Sequence, residues 1–301
     1  ELLDIVHQGE FEKAPWDRIR TGVAAEDAIG HHLEVLAAAF DVRAARRRGL
    51  RVAVDCCNGA STMLSPRWLE MLGCTVLAVN DDPSAPFPHR PEPKPETMAQ
   101  LKAVVRAGGA DLGFAHDADG ERIGLVTAEG EALSEERTIT LAAAIVLSQE
   151  PGTVVTNVST TRAVDEVAKR HGGTVVRTPV GQSFISEAMI EHRAVIGGEG
   201  NGGVAVPRVL LSHDAAAAQG LIIEHMARSG ASLGELVGGL PSFAMVKHDF
   251  AEKPSVLYSV LQAFRDTIER EGLRADTPDG VAVSFDDGWV HVRASQTESM
   301  I

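Results

Sequence analysis

The hydrophobic pattern divides the chain into short apolar runs and longer helical stretches that take turns. Arg51-Val-Ala-Val-Asp55 is a Val-rich run of strand length, ending at the turn Asn58-Gly59. From about Pro66 to Leu72 apolar residues recur at helical spacing and stop at Gly73, and Thr75-Val-Leu-Ala-Val79 is the next strand. Leu101 to Ala107 predicts a short helix stopped by Gly108-Gly109, before the strand-like Leu112-Gly-Phe-Ala115. Strand–helix–strand alternation of this kind predicts βαβ units on a parallel sheet.

The pattern then repeats. Thr153 to Thr156 is a strand, and Arg162 to Arg170 a helix with Ser159 and Thr160 as expected caps and Gly172-Gly173 as its stop. Thr174 to Arg177 is a strand, Ser183 to Glu191 a helix and Ala194 to Ile196 a strand, and Pro151-Gly152 marks the join between the two repeats. Pro86 to Pro95 holds a proline at nearly every second position, which excludes regular helix and central strand. Val256 to Glu271 is an amphipathic helix, and Val281 to Phe285 and Trp289 to Arg293 flank Asp286-Asp287-Gly288 as a hairpin. The expected fold class is therefore α/β, two tandem domains followed by a smaller α+β domain. The expected segments are 1–45 (helical, broken at Ala14-Pro15-Trp16), 46–150, 151–243 and 244–301.

The 301 residues suit about two domains of ordinary size. With 44% apolar and 23% charged residues the composition is globular and excludes wholesale disorder. A formal net charge of −14 argues against a nucleic-acid partner, which needs a basic footprint, yet a local basic cluster can still hold a small anion. Cys56, Cys57 and Cys74 form no CxxC and no even framework, so a reducing, cytoplasmic setting is expected. No apolar run approaches the roughly 20 residues of a membrane span. Leu141 to Leu147 is far too short, and no basic-then-apolar leader opens the sequence.

Three constellations can carry chemistry. In His116-Asp-Ala-Asp-Gly-Glu-Arg122 the acids Asp117, Asp119 and Glu121 alternate directly after a predicted strand. Converging carboxylates repel unless a hard cation sits between them, and Mg²⁺ takes oxygen ligands. An EF-hand is excluded by spacing, because its glycine would fall on Arg122 and its bidentate glutamate on Ala128. The competing reading is a solvated acidic turn. Arg122 is the residue a phosphate beside such a cation would want.

The second constellation, Gly197 to Gly203, satisfies GxGxxG from Gly198. The Val204-Ala-Val-Pro207 that follows is no helix, which opposes a dinucleotide site. It reads either as a glycine hairpin or as flexible backbone presenting Glu199 and Asn201 to a polyhydroxylated ligand. Third, Arg293, Ser295 and Thr297 stand at i, i+2 and i+4 after a strand, either an anion-binding nest or an ordinary strand-end loop. There is no P-loop and no GxSxG elbow, and His31-His32 lack the HExxH arrangement and are expected on a helix surface. Cys56 or Cys57 is expected as a small core residue, a catalytic thiol having no base close by in sequence.

Taken in order, Val54-Asp55 through Asn58-Gly59-Ala60, Phe87 to Pro93, His116 to Arg122, Thr178-Pro-Val-Gly181-Gln182-Ser183, Gly198 to Gly202 and Arg293 to Glu298 resemble the loops of the α-D-phosphohexomutases along nearly the whole chain. The resemblance implies α/β domains with mixed sheets and interconversion of hexose 6-phosphate and hexose 1-phosphate through a phosphoserine and a bisphosphate intermediate. Phosphoglucosamine mutase or phosphomannomutase is the implied activity. It assigns Mg²⁺ to Asp117, Asp119 and Glu121, a catalytic role to Arg122, the sugar to Glu199, Asn201, Gly181 and Gln182, and the non-reacting phosphate to Arg293, Ser295, Gln296 and Thr297.

Departures accompany it. The third acid is Glu121 where the family usually has Asp, and Asn201 and Gly203 stand where many members have Ser and His, closer to the archaeal-type branch. The family's Ser-His-Asn-Pro segment is not among these residues, so 1–45 is expected to be the end of a first domain. A homodimer is compatible with the sequence. A non-catalytic sugar-phosphate-binding relative, a metal-dependent phosphatase with Asp117 as nucleophile and a nicotinamide oxidoreductase resting on Gly198 stay open as alternatives.

Overall fold

The computed structural model describes residues 5–7, 9, 13, 15–18, 27–251, 253–273, 275–276, 279–286 and 288–294. Helices α1 (Ala28–Ala39) and α2 (Val42–Arg48) lead into β1 (Arg51–Asp55). Then follow α3 (Ser65–Met71), β2 (Thr75–Val79), α4 (Ala99–Gly108), β3 (Leu112–His116) and β4 (Ile123–Thr127). The second repeat comprises α5 (Glu136–Leu147), β5 (Thr153–Asn157), α6 (Ala163–Arg170), β6 (Thr174–Thr178), α7 (Gln182–Glu191), β7 (Ile196–Gly198), β8 (Val204–Ala205), α8 (Ala215–Ser229) and α9 (Leu233–Gly238). The tail carries α10 (Pro254–Arg270), β9 (Ala275–Asp276), β10 (Val281–Ser284) and β11 (Trp289–Val292).

The two repeats build the same sheet. The first has the order β2-β1-β3-β4 and the second β6-β5-β7-β8. In each, three strands are parallel and the last is antiparallel, β4 on β3 and β8 on β7. The sheets are therefore mixed, and the third is the antiparallel β11-β10-β9. In both repeats the loop between the last two strands leaves the same end of the sheet, where α/β folds place their ligands.

The unpredicted helices α5 and α8 explain how the repeats join. Residues from Ala215 to Glu224 are buried without interruption, as are most of Glu136 to Leu147. A helix buried all round shows no amphipathic period, so the pattern that revealed the other helices is missing. One apolar cluster runs through both sheets, from Val52 and Leu112 to Val154 and Ile196, with α8 in its middle. Trp68 is fully buried there, its indole donates to the Ala216 carbonyl at 2.9 Å, and its ring lies 6.0 Å from that of Phe40.

Some local expectations are corrected. The strand expected at Ala194–Ile196 is shifted to Ile196–Gly198, because β5 pairs Val154 with Ile196 and Val155 with Gly197. Ser159 and Thr160 do not cap α6, whose N-cap Arg162 has no side-chain cap. The Thr160 hydroxyl donates to Asn157 Oδ1 and accepts from the Gly200 amide, each at 2.9 Å. His32 is no free surface residue, since its Nε2 lies 2.9 Å from Asp214 Oδ2. Burial pushes the Cys56 thiol up to about 12 and Cys57 to about 11, so both are core residues, although Cys57 Sγ lies 3.9 Å from His89 Nδ1. No helix among the described residues is long and apolar enough to cross a membrane.

Two measurements check this packing. Trp68→Ala should destabilise the protein by about 3–5 kcal/mol in denaturant unfolding, the usual loss for a large buried aromatic. The hydrogen bond that His32 donates to Asp214 raises the His32 pKa. Its charge therefore stabilises fully below the unfolded value of about 6.5 and is lost as pH rises through the higher folded value. The Tm gap between wild type and His32→Gln should be larger at pH 5.5 than at pH 9.

Candidate functional site

The acidic loop hangs between two buried strands, β3 and β4, and Asp117 forms its floor. Fully buried, Asp117 accepts through Oδ1 from the amides of Gly120 and Arg122, each at 3.1 Å. Its Oδ2 accepts from Arg122 Nε at 2.5 Å. The pairing keeps the Arg122 guanidinium charged although burial works against it. Burial and the Asp117 charge hold the Asp119 carboxyl above its usual range, and burial with Asp119 and Asp117 does the same for Glu121.

Asp119 and Glu121, with proton affinity raised, and Asp117 beside them form an all-oxygen donor set of the kind a hard divalent cation neutralises. That donor chemistry fits Mg²⁺. Among the described residues no three carboxylate, imidazole or thiol groups are gathered around one point as a finished metal site. Asp117 in particular spends both oxygens on its own loop.

The glycine segment is a hairpin and a side-chain platform at once. β7 and β8 pair antiparallel, and the Glu199 amide donates to the Gly203 carbonyl at 3.0 Å. Glu199 is buried; its Oε1 accepts from Asn157 Nδ2 at 2.5 Å and from the Gly181 amide at 3.1 Å. Its Oε2 accepts from Asn201 Nδ2 at 3.2 Å, and Asn201 Oδ1 accepts from the Gly203 amide at 2.9 Å. Glu199 and Asn201 are thus locked to each other at the hairpin tip, with Gly181 of the β6–α7 turn behind them.

The hairpin is joined to the acidic loop by backbone. The Ile123 amide donates to the Gly202 carbonyl at 3.1 Å, and Arg122 and Gly203 form an isolated antiparallel bridge. Gly202 has φ +96°, and a Cβ there would lie 2.6 Å from the Ile123 carbonyl oxygen. A Cβ on Gly203 would lie 2.5 Å from Nδ1 of the buried His213, so the imidazole fills the space a side chain at 203 would need. Gln182 adds a side-chain link, its amide nitrogen 3.2 Å from Glu121 Oε2 and its oxygen 2.9 Å from the His213 amide.

Opposite the hairpin stands the small tail unit. A cleft of about 1410 Å³ is lined by Glu199, Asn201, Ser159, Lys247, His291 and Arg293 among others. Arg293 Nε donates to Asp279 Oδ2 at 2.9 Å, which also accepts from the Val180 amide at 3.0 Å. The Ser159 hydroxyl lies 2.7 Å from His291 Nδ1.

The structure thus brings Glu199, Asn201 and Arg293 into one cleft, while Asp117, Asp119, Glu121 and Arg122 are not among the residues that line it. Gly181 and Gln182 act as its supports. Ser295, Gln296 and Thr297 lie outside the described residues. Asn157, Ser159, Asp279 and His291 are not site residues in the sequence reading, which takes Ser159 for a helix cap. The position of Asn157 and Ser159 just after a predicted strand was the available signal; His291 lies within a strand and carries none.

Residues 31–130 match the family profile "Phosphoglucomutase/phosphomannomutase, alpha/beta/alpha domain II" and residues 134–243 match domain III of the same family. A "Phosphoglucomutase/phosphomannomutase" of Thermococcus kodakarensis is 37% identical over 97% of this chain and 64% of its own length. A "Probable phosphoglucosamine mutase" of Methanopyrus kandleri is 37% identical over 99% of this chain and 66% of its own. Among solved structures, a phosphoglucomutase/phosphomannomutase family protein of Burkholderia thailandensis superposes with a TM-score of 0.82 at 27% identity, over 99% of this chain and 63% of that one. The chain spans a little under two thirds of the length of these proteins. With both central domains matched and the sheets repeated as described, this chain belongs to the phosphoglucomutase/phosphomannomutase family.

Proposed function

We propose that this chain is the metal-, sugar- and phosphate-holding part of a phosphohexomutase that interconverts hexose 6-phosphate and hexose 1-phosphate through a phosphoserine and a bisphosphate intermediate. Glucosamine and mannose phosphates are the preferred candidates for substrate. The observation that carries it is the hairpin bearing Glu199 and Asn201, bonded on one side to the end of the acidic loop and facing Arg293 across the cleft.

Phosphoryl transfer asks the protein chiefly for positioning and charge neutralisation. Asp117, Asp119 and Glu121 would hold Mg²⁺, which when bound supplies positive charge to a transferring phosphoryl group. Arg122, held by Asp117, adds a fixed guanidinium beside that place. Glu199 and Asn201 offer a carboxylate and an amide to sugar hydroxyls, with Gly181 and Gln182 fixing their backing. Arg293, with Ser295, Gln296 and Thr297, would take the phosphate that is not reacting. The clamp recognises phosphate rather than one sugar carbon, so it accepts either orientation of a bisphosphate. The nucleophilic serine is assigned to no residue of this chain.

The test is an assay of the full-length gene product on glucosamine, mannose and glucose 6-phosphates with Mg²⁺. Formation of the 1-phosphates is expected. Release of inorganic phosphate without isomerisation would replace this function with that of a phosphatase, and binding without turnover would leave a sugar-phosphate-binding protein. Asp119→Asn should lower Mg²⁺-dependent turnover at least a hundredfold with Tm within a few degrees of wild type, since Asp119 is an exposed loop residue. Arg293→Leu should raise KM for the hexose phosphate about 10- to 100-fold, the value of one charge-assisted hydrogen-bonded pair, as read in initial-rate kinetics.

A further inference from the structure

The connection between the second sheet and α10, residues 241–250, has no regular secondary structure. It is fastened near its start, where Arg137 donates through Nη1 to the Pro241 carbonyl at 2.7 Å and through Nη2 to Ser242 Oγ at 3.0 Å. Phe243, Val246 and Phe250 stand exposed along it. Lys247 is different. Although 39% of its side chain is open, its Nζ donates to the Gly200 carbonyl at 2.6 Å and to Glu135 Oε1 at 2.9 Å, and lies 2.7 Å from Glu136 Oε1.

An ammonium has three protons. Two of them go to the Gly200 carbonyl and Glu135, and the Glu136 carboxylate lies against the third side, so the ammonium is turned toward the hairpin and the two glutamates even though Lys247 lines the cleft. The other ends of the contact are equally built. Glu135 and Glu136 are both buried, and Glu136 Oε2 accepts from the Thr161 amide at 2.9 Å. A Cβ on Gly200 would collide with the Glu136 carboxylate, which therefore sits in the space of a side chain at the hairpin tip. Two buried carboxylates side by side need a cation between them, and removing one partner of a buried ion pair leaves the rest unmatched. Glu136 and Glu135 accordingly keep the ammonium protonated against the burial that would discharge it.

We propose that Lys247 is a positioning residue of the sugar site: it clamps the Gly200 carbonyl to Glu135 and Glu136, fixes Glu199 and Asn201 on either side, and ties the segment leading to Arg293 to the same point. The proposal rests on the mutase assignment only for the identity of the sugar; the clamp itself is a matter of backbone order.

Hydrogen exchange on the full-length protein tests the clamp without any ligand. In Lys247→Met the amides of Glu199, Gly200 and Gly203 should exchange at least tenfold faster, with those of Val52 to Val54 in β1 unchanged. Calorimetric binding reads the consequence. Affinity for hexose 6-phosphate should fall at least tenfold and affinity for inorganic phosphate less than twofold, with Lys247→Arg restoring most of the loss. Equal losses for both ligands would make Lys247 a phosphate ligand and overturn the proposal; so would unchanged exchange at the hairpin. A wild-type protein that binds no hexose phosphate would remove the mutase assignment and leave the exchange result to stand or fall by itself. If Lys247→Met does not fold, Glu135→Gln keeps the oxygen but removes a charge, and should speed the same amides about threefold; no change would refute the clamp.

Discussion

Where Gly202 lies against Ile123, two backbones meet with no side chain between them. The 3.1 Å bond from the Ile123 amide to the Gly202 carbonyl needs that proximity, and any Cβ at 202 would press on the Ile123 carbonyl. The acidic loop belongs to the first sheet and the hairpin to the second, so this backbone contact, with the Gln182–Glu121 link beside it, sets the spacing of Glu199 from Asp117 and Arg122. It holds because the sheets cannot slide: α8 is buried within one apolar core that reaches both. Packing of this kind resists small displacements, since interiors are close to crystalline in density. The site's geometry is therefore inherited from the core and delivered through a glycine.

Charge is arranged to be completed. Around the junction stand Asp117, Asp119, Glu121 and Glu199, against the cation Arg122; burial first, and then the neighbouring carboxylates, raise the proton affinity of Asp119 and Glu121. A group that would rather be protonated is one that gains from a cation. The formal −14 of the whole chain thus does not oppose a phosphate ligand; positive charge is local, on Arg122 and on Arg293.

What was legible in the sequence followed from surface contrast. α4, α6 and α10 each bury one face, and their periodicity located them; α5 and α8 bury nearly everything and left no period to read. The acids 117, 119 and 121 were visible because a period of two in a loop is unusual. The support of Glu199 was not, because Asn157 is 42 residues away and Gly181 contributes only an amide. Ser159 looked like a helix cap, as Ser and Thr before a helix usually are, and His291, 132 residues along the chain, takes its hydroxyl instead. Long-range polar pairs of this sort leave no local trace.

The tail unit is attached in a different manner from the two sheets. Its own core is small, Ile268 with Val281 and Val283. Among the described residues it meets the second repeat through polar pairs: His291 with Ser159, Asp279 with the Val180 amide, Arg162 Nη2 donating to Ser284 Oγ at 2.6 Å. Each such bond replaces one that water would make and contributes about 1 kcal/mol net. Polar interfaces between units of one chain permit relative motion where a shared apolar core does not. The mutase proposed above would have to hold its bisphosphate tightly for transfer yet let it turn round without losing it. Under the proposed function, a rigid pair of sheets carrying the acids and the hairpin, with a more loosely bonded unit carrying Arg293, would divide those two demands between two kinds of interface.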